Sequence, residues 1–472
     1  MRDMSENAAK SLVLALTSVA SFMVALDALV VTTALSTIRL DFGTSIEALE
    51  WTVNAYNLSF AVLLPTGAAL GDRFGRRRVF AAGLGLFVAA SIACALAGGV
   101  GWLIAGRAVQ GAGAALVMPV AMALLSAAFP GEQRGKALGI FNSVTGLALI
   151  AGPVVGGGIA QGLDWRWIFW INLPVGVIII PLIVRRMRES VASDTGLDVV
   201  GLVLVTLAAL GVVWGLMRAN SAGWASLEVI AVVAAGVLLA IAFIAWEWRA
   251  PAPMLPIRLF RSRAFSSGVA ASFLFYASMY GTLFFLPQFL QIAQEHGPLG
   301  VGLRLLPWTA TLLVFAPIGG GLVSRLGERP LVVFGLVLQA LGMAWIALIA
   351  APDLAYANLI APLIVTGAGV SLAMPAAQNA VLSAVAPSEI GKASGTFNMA
   401  RFLGGVFGVA VQVAAFVATG NFGSPQAFSA GFVAAIGVAA ALSLLAAVAG
   451  LWLHGRRWGW RRQPWKWVRS LG

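Results

Sequence analysis

Charge is what this chain has least of. Asp, Glu, Lys and Arg make up 10% of its 472 residues, where a soluble domain carries about 25%. A water-facing globular fold is thereby excluded. Cysteine is almost absent. Cys94 stands alone in an apolar run, so no disulfide forms within the chain and thiolate metal chemistry has no ligand set. The two histidines, His296 and His454, lie far apart and flank apolar runs, which leaves no His-based metal site. No Ser/His pair, paired acids or metal cluster sits within an apolar run, so enzymatic chemistry has no visible machinery. Strictly alternating segments, the mark of a membrane β-barrel, are missing too. No catalytic residue, metal or cofactor is expected.

What remains is apolar and small. The chain is 60% hydrophobic, with 54 glycines and 16 tryptophans. Glycine packs membrane helices, and tryptophan anchors them at interfaces. Apolar runs of about twenty residues, long enough to span a bilayer, recur near 11–36, 51–70, 79–98, 102–127, 137–161, 167–184, 199–217, 227–246, 265–292, 301–323, 331–350, 359–384, 394–419 and 429–453. The pattern predicts an all-α polytopic membrane protein with about fourteen transmembrane helices. The first run is too long for a signal-peptide core, and no clean cleavage pattern follows it, so it reads as a retained helix.

Lys and Arg accumulate in cytoplasmic loops. Of the 30 basic residues, all but Arg39, Arg107, Arg166, Arg218, Arg304 and Arg401 fall on one side if the N-terminus is inside. Both termini are therefore expected in the cytoplasm. "Inner" and "outer" refer below to this orientation.

The chain also repeats. Gly111-Ala-Gly-Ala-Ala-Leu-Val-Met-Pro119 recurs as Gly367-Ala-Gly-Val-Ser-Leu-Ala-Met-Pro375, and Gly135-Lys-Ala-Leu-Gly-Ile-Phe-Asn142 as Gly391-Lys-Ala-Ser-Gly-Thr-Phe-Asn398. The basic loop Asp72-Arg-Phe-Gly-Arg-Arg77 has a weaker echo in Ser324-Arg-Leu-Gly-Glu-Arg329. This divides the chain into an N-terminal six-helix bundle (1–190), an inserted two-helix hairpin without counterpart (191–250), a cytoplasmic linker (251–264), a C-terminal six-helix bundle (265–453) and a basic, Trp-rich tail (454–472). Paired halves with a site between them near mid-membrane are the architecture of secondary transporters.

The repeat allows the chain to be compared with itself. Arg107 aligns with Leu363, Gln110 with Thr366, Asp72 with Ser324 and Pro153 with Val409. Asp27, read as the only acid deep within a span, falls opposite Met279 to Gly281. The second half has Arg401 as its odd charge. An arginine within a membrane helix costs roughly 2.5–3.5 kcal/mol, so it calls for a partner or a water-filled cavity. At about 1.5 Å per residue, Asp27, Arg107 and Gly152-Pro153 fall at similar levels in the outer half. Gln110 shares a helix face with Arg107. Burial favours a neutral carboxyl, whereas a nearby guanidinium favours the ionised one. That competition suits proton exchange, with Asp27 as carrier and Arg107 as tuner, while arginine itself does not titrate. A fixed ion pair, or an Arg107 that snorkels to the headgroups, is the alternative.

These residues resemble the major facilitator superfamily, in particular its fourteen-helix drug:proton antiporter branch. Gly71-Asp-Arg-Phe-Gly-Arg-Arg-Arg78 is similar to the loop motif between the second and third helices, with Ala68 where that motif starts with glycine. The resemblance marks Gly71, Asp72, Arg73, Gly75, Arg76 and Arg77 as a cytoplasmic gate. Arg107, Gln110, Gly111 and Gly113 resemble the fourth-helix motif, whose arginine is associated with proton coupling. Gly152, Pro153, Gly156 and Gly157 resemble the fifth-helix antiporter motif, with Ala148 in place of its first glycine. Leu26-Asp27 to Ser36 resembles the first-helix motif, although Leu29 and Ser36 depart from it. Trp165-Arg-Trp-Ile-Phe-Trp-Ile-Asn-Leu-Pro-Val-Gly176 resembles the branch's outer loop and sixth helix.

The function expected is proton-coupled efflux of small, lipophilic or cationic drug-like molecules by alternating access. The coupling ion is H+, and the alternative is export of an endogenous metabolite, antibiotic or lipid. A channel ranks lower, because the halves differ and no ring of like polar residues appears; a facilitator independent of protons is a further, lower-ranked reading. By helix position Tyr56, Asn142, Tyr276, Tyr280, Gln378 and Asn398 are the candidate substrate contacts. Trp165, Trp167 and Trp170 read as interfacial anchors. The tail's interleaved cations and indoles suit anionic headgroups rather than nucleic acid. The chain is expected to work as a monomer in a bacterial plasma membrane.

Overall fold

The computed structural model describes residues 6–129, 132–191, 198–251, 253–386 and 389–453. The tail, and the lipid contact expected of it, lies outside them. Fourteen helices are long and apolar enough to cross a membrane. They are α1 (Asn7–Phe42), α2 (Ile46–Phe74), α3 (Arg76–Ala95), α4 (Val100–Ala128), α5 (Ala137–Gly162), α6 (Trp167–Arg186), α7 (Val199–Leu216), α8 (Leu227–Glu247), α9 (Arg263–Ala293), α10 (Pro298–Val323), α11 (Glu328–Ile349), α12 (Tyr356–Ser383), α13 (Lys392–Thr419) and α14 (Pro425–Gly450).

The helix ends follow from local chemistry. Side-chain oxygens of Ser45, Asp198, Ser262 and Ser424 accept backbone N–H groups that the first turns leave over. Gly75 and Gly327 take φ of 103° and 83° in the two basic loops, a conformation that only glycine adopts without strain. The weak sequence echo between those loops is thus also an echo of backbone shape.

Within each half, glycines set helix spacing. A Cβ on Gly113 would lie 2.7 Å from the Phe87 nitrogen, and one on its repeat partner Gly369 would lie 2.4 Å from that of Gln339. α4 thereby locks onto α3, and α12 onto α11. The inserted hairpin closes on itself where Gly211 meets Gly236. Its Val205, Val213 and Phe243 then pack with Leu58 and Val62 of α2 and Met399, Val406 and Ala410 of α13. The hairpin therefore lies over the seam between α2 and α13.

The halves are joined at their outer ends. The Gln291 side chain donates to the Thr33 carbonyl at 2.7 Å, and the Leu299 amide donates to Gln161 at 3.0 Å. The Arg39 guanidinium lies 4.0 Å from the Phe422 ring centre. One face of α5 shows how the seam opens inward. A Cβ on Gly157 would lie 2.2 Å from the Pro298 oxygen, one on Gly146 would meet Leu312 at 3.7 Å, and one on Gly139 would meet nothing within 4 Å. On α10, Gly302 abuts the Pro153 carbonyl while Gly320 faces open space. The outer seam is closed, and the inner ends of α5 and α10 stand apart.

That seam gives a direct test. Gly157→Leu is expected to prevent outer closure, because no side chain fits beside the Pro298 carbonyl. Spin-label distances between the outer ends of α5 and α10 should lengthen by several ångströms. An unchanged distance distribution would show that the seam tolerates bulk.

Candidate functional site

The small residues of α4 decide where its polar side chains go. Gly106 lies against Cys94 of α3, and Gly111 against the Tyr56 carbonyl of α2. With α4 held close on both sides, Arg107 and Gln110 project into the gap toward α1, α3 and α6. There they are sealed: Asp27 is 3% exposed, Arg107 1% and Gln110 0%.

Asp27 is the hub. Arg107 Nη1 donates to Asp27 Oδ2 at 2.5 Å and to Gln110 Oε1 at 2.7 Å. Gln110 Nε2 donates to Asp27 Oδ1 at 2.8 Å and to Ser91 Oγ at 2.7 Å. Asn172 Nδ2 donates to the same Oδ1 at 2.8 Å and to Ser91 Oγ at 3.2 Å. Arg107 Nε donates to the Thr52 carbonyl at 3.2 Å, and the guanidinium sits 4.2 Å from the Tyr56 ring centre. Donors from α4 and α6 meet on the one carboxylate of α1, and α2 and α3 hold those donors in place. Both of its oxygens are occupied, which is what allows a charged pair to persist in a dry interior. Snorkelling of Arg107 is excluded by its burial.

Asn172 and Ser91 escaped the sequence reading. Asn172 stands where α6 is interrupted, between Trp167–Trp170 and Asn172–Arg186. A lone amide at a break in a span was the available signal. Asp27 is also not the only buried acid. α2 begins at Ile46, earlier than the hydropathy suggested, and Glu50 lies within it at 0% exposure. Glu50 Oε1 accepts from Asn54 Nδ2 at 3.3 Å. Glu247, at the inner end of α8, is 3% exposed and accepts the Leu255 amide at 3.0 Å.

The inner loop motif closes on its own half. Asp72 pairs with Arg76 at 2.8 Å. The Arg77 amide donates to Glu189 Oε1 at 2.9 Å, and the Arg77 side chain reaches the Val184 and Met187 carbonyls. A Cβ on Gly75 would lie 2.7 Å from the Glu189 carboxyl carbon, so this glycine admits the acid as well as the turn. Gly71 lies against Val120 of α4, and the Arg73 guanidinium lies 5.4 Å from the Phe74 ring centre. The fifth-helix motif faces two ways. Gly152 and Gly156 meet Leu29 and Val30 of α1, just beyond Asp27, while Pro153 and Gly157 meet α10.

The candidate substrate contacts scatter. Tyr56 is 1% exposed beneath Arg107, and its hydroxyl donates to the Val24 carbonyl; it serves the Asp27 network and does not line a cleft. Asn142 is exposed and Gln378 half-buried. Asn398 bonds the Ser394 carbonyl of its own helix at 2.9 Å. Tyr276 and Tyr280 are buried beside Arg401. Trp165 is no interfacial anchor: it is 2% exposed and donates to Asp41 at 3.1 Å.

The Major Facilitator Superfamily family model matches residues 17–409. The chain belongs to the major facilitator superfamily. That places it among transporters, as a multi-pass membrane protein and not an enzyme. It is 32% identical over 407 residues to the multidrug resistance protein Stp of Mycobacterium tuberculosis (strain CDC 1551 / Oshkosh), covering 86% of this chain and 75% of that protein. It is 34% identical over 397 residues to the tetracenomycin C resistance and export protein of Streptomyces glaucescens, covering 84% and 73%. It is 34% identical over 428 residues to the cephamycin export protein CmcT of Amycolatopsis lactamdurans, covering 89% and 87%. Among solved structures, a peptide transporter POT in complex with sulfate superposes with a TM-score of 0.68 at 16% identity, covering 95% of this chain and 98% of that one. The nucleoside transporter NupG does so with a TM-score of 0.67 at 13% identity, covering 94% and 99%. These last two likenesses concern the fold.

His296 offers a pH control outside the spans. Burial, and secondarily the Arg304 charge, hold its imidazole below the usual histidine range. Its neutral form is thereby favoured relative to a free imidazole. His296→Gln is expected to leave the pH dependence of transport unchanged in proteoliposomes; a displaced profile would assign a titrating role to this loop.

Proposed function

We propose that the protein is a proton-coupled antiporter that exports lipophilic, drug-like molecules across a bacterial plasma membrane, with both termini cytoplasmic and the halves 1–190 and 265–453 rocking about a central cleft. The observation that carries this reading is the sealed Asp27 carboxylate, held by Arg107, Gln110 and Asn172. A proton arriving on Asp27 Oδ2 removes the acceptor of Arg107 Nη1. Arg107 keeps Gln110 Oε1 and the Thr52 carbonyl, so the cation stays placed while its tie to α1 weakens.

The path to the seam is short. The turn of α1 after Asp27 packs on Gly152 and Gly156 of α5, and the other side of that motif packs on α10 of the second half. A shift of α1 therefore bears directly on outer closure. The inner loop network of Asp72, Arg76 and Glu189 supplies contacts that rearrange as the inner side opens and closes. With about 2.3 kcal/mol from 100 mV and about 1.4 kcal/mol from one pH unit, one inward proton sustains roughly a 500-fold gradient of a neutral substrate.

A cationic substrate gains no support from Asp27, because both of its oxygens are already bonded. Export of an endogenous antibiotic is a second reading, favoured by the relatives named for tetracenomycin C and cephamycin export. The test is a substrate panel in proteoliposomes, read as efflux with and without an imposed pH gradient. Drug export at equal rates in both conditions would remove proton coupling and leave a facilitator.

A further inference from the structure

Arg401 plays no part in the Asp27 network. It lies within α13, in a half where its repeat counterpart is Thr145, so the helix does not need a charge there to pack. Its guanidinium carbon lies 4.9 Å from the Tyr276 ring centre and 5.1 Å from that of Phe402. Tyr276 and Tyr280 are themselves 6.3 Å apart, centre to centre. Phe402 in turn meets Phe60 of the first half at 4.2 Å. Arg401 thus sits beside the aromatic contact that bridges the halves, and it is half-buried, not sealed.

The contrast with Arg107 is in the partners. Arg107 has a carboxylate, an amide oxygen and a backbone carbonyl. Arg401 has no carboxylate within ion-pair distance among the described residues; its one polar side-chain partner is the Tyr280 hydroxyl, and its Nε is shielded from solvent without a hydrogen bond. Ring faces attract a guanidinium, but they do not accept its N–H groups as an anion does. The first-half site is neutral as a pair, so Arg401 leaves a positive charge beside the cleft.

We propose that Arg401, framed by Tyr276, Tyr280 and Phe402, is an anion-recognition subsite, and that the exported molecules carry an acidic group on an aromatic frame. The guanidinium takes the carboxylate or acidic phenol, and the buried rings packed around it hold it in place. The transport side of this proposal rests on the export reading above; the binding side does not.

The test therefore measures binding. Radiolabelled 2-naphthoate is titrated onto the full chain in nanodiscs of zwitterionic lipid, with 2-naphthylmethanol and (2-naphthylmethyl)trimethylammonium as competitors of the same ring. A hydrogen-bonded charge contributes about 1.5–3 kcal/mol, so the wild type is expected to prefer naphthoate by roughly tenfold or more. Arg401→Gln should erase the preference, and Arg401→Lys should keep part of it. Equal affinity for acid and alcohol in the wild type overturns the proposal without any variant. So does a preference that survives in folded Arg401→Gln, which would reduce Arg401 to a packing cation. If Arg401→Gln does not fold, a ratio unchanged in Arg401→Lys and erased in neither tyrosine variant, Tyr276→Leu or Tyr280→Leu, overturns it as well. Asp27→Asn should retain the acid preference whether or not it still couples to protons, which separates this proposal from the export mechanism.

Discussion

Asp27→Asn is expected to lower proton-driven exchange by about a hundredfold or more while leaving the protein folded. The estimate follows from what the amide loses. It has no titrating proton, and one of its two atoms becomes a donor facing donors. If the amide oxygen keeps Gln110 Nε2 and Asn172 Nδ2, its nitrogen confronts Arg107 Nη1; if it turns, its nitrogen faces those two amides, which keep only Ser91 Oγ as an acceptor. One unsatisfied buried group costs about 1–3 kcal/mol, which a helix bundle of this size survives. Substrate-driven proton uptake in pyranine-loaded proteoliposomes, alongside a thermal melt, separates the chemical loss from the structural one. Wild-type proton movement in folded Asp27→Asn would end the role assigned to this carboxylate.

Arg107→Leu is expected to do the opposite: to cost stability first. It strands Asp27 in a dry interior with only two amide donors. Removing one member of a buried ion pair costs about 3–5 kcal/mol, because the remaining charge is uncompensated. The double variant Asp27→Asn/Arg107→Leu should therefore melt above Arg107→Leu alone. That inversion is the decisive measurement. If the two changes simply add, the pair contributes nothing as a pair. Arg107→Lys should fall between, since an ammonium cannot serve Asp27, Gln110 and the Thr52 carbonyl from one planar fork.

The spans and the repeat were legible because both are written in hydropathy and spacing. Arg107 and Asp27 stood out for the same reason: a charge in an apolar run is conspicuous, and its absence from the other half makes it more so. Asn172 and Ser91 were not conspicuous. A single amide or hydroxyl is ordinary in a membrane helix, and only the fold shows that both point at Asp27. Glu50 was overlooked because it borders a hydrophobic run, where an acid reads as loop; the chain instead starts α2 a turn earlier, capped by Ser45. Tyr56 was placed in a cleft by its helix position. The helix phase that sets it beneath Arg107 is fixed by the Gly111 contact, and that is a tertiary fact. Glu189 was silent in sequence, since nothing near it marks a partner for the loop after α2.

The α7–α8 hairpin makes the two sides of the molecule unequal. A lipophilic solute dissolved in the inner leaflet has two lateral routes toward the space between the halves. One, along α2 and α13, is roofed by Val205, Val213 and Phe243. The other, along α5 and α10, is unroofed where Gly139 and Gly320 face open space. Among the described residues the two flanks therefore differ: one is roofed by the hairpin and the other is not, so a solute entering from the bilayer would be expected on the α5–α10 flank.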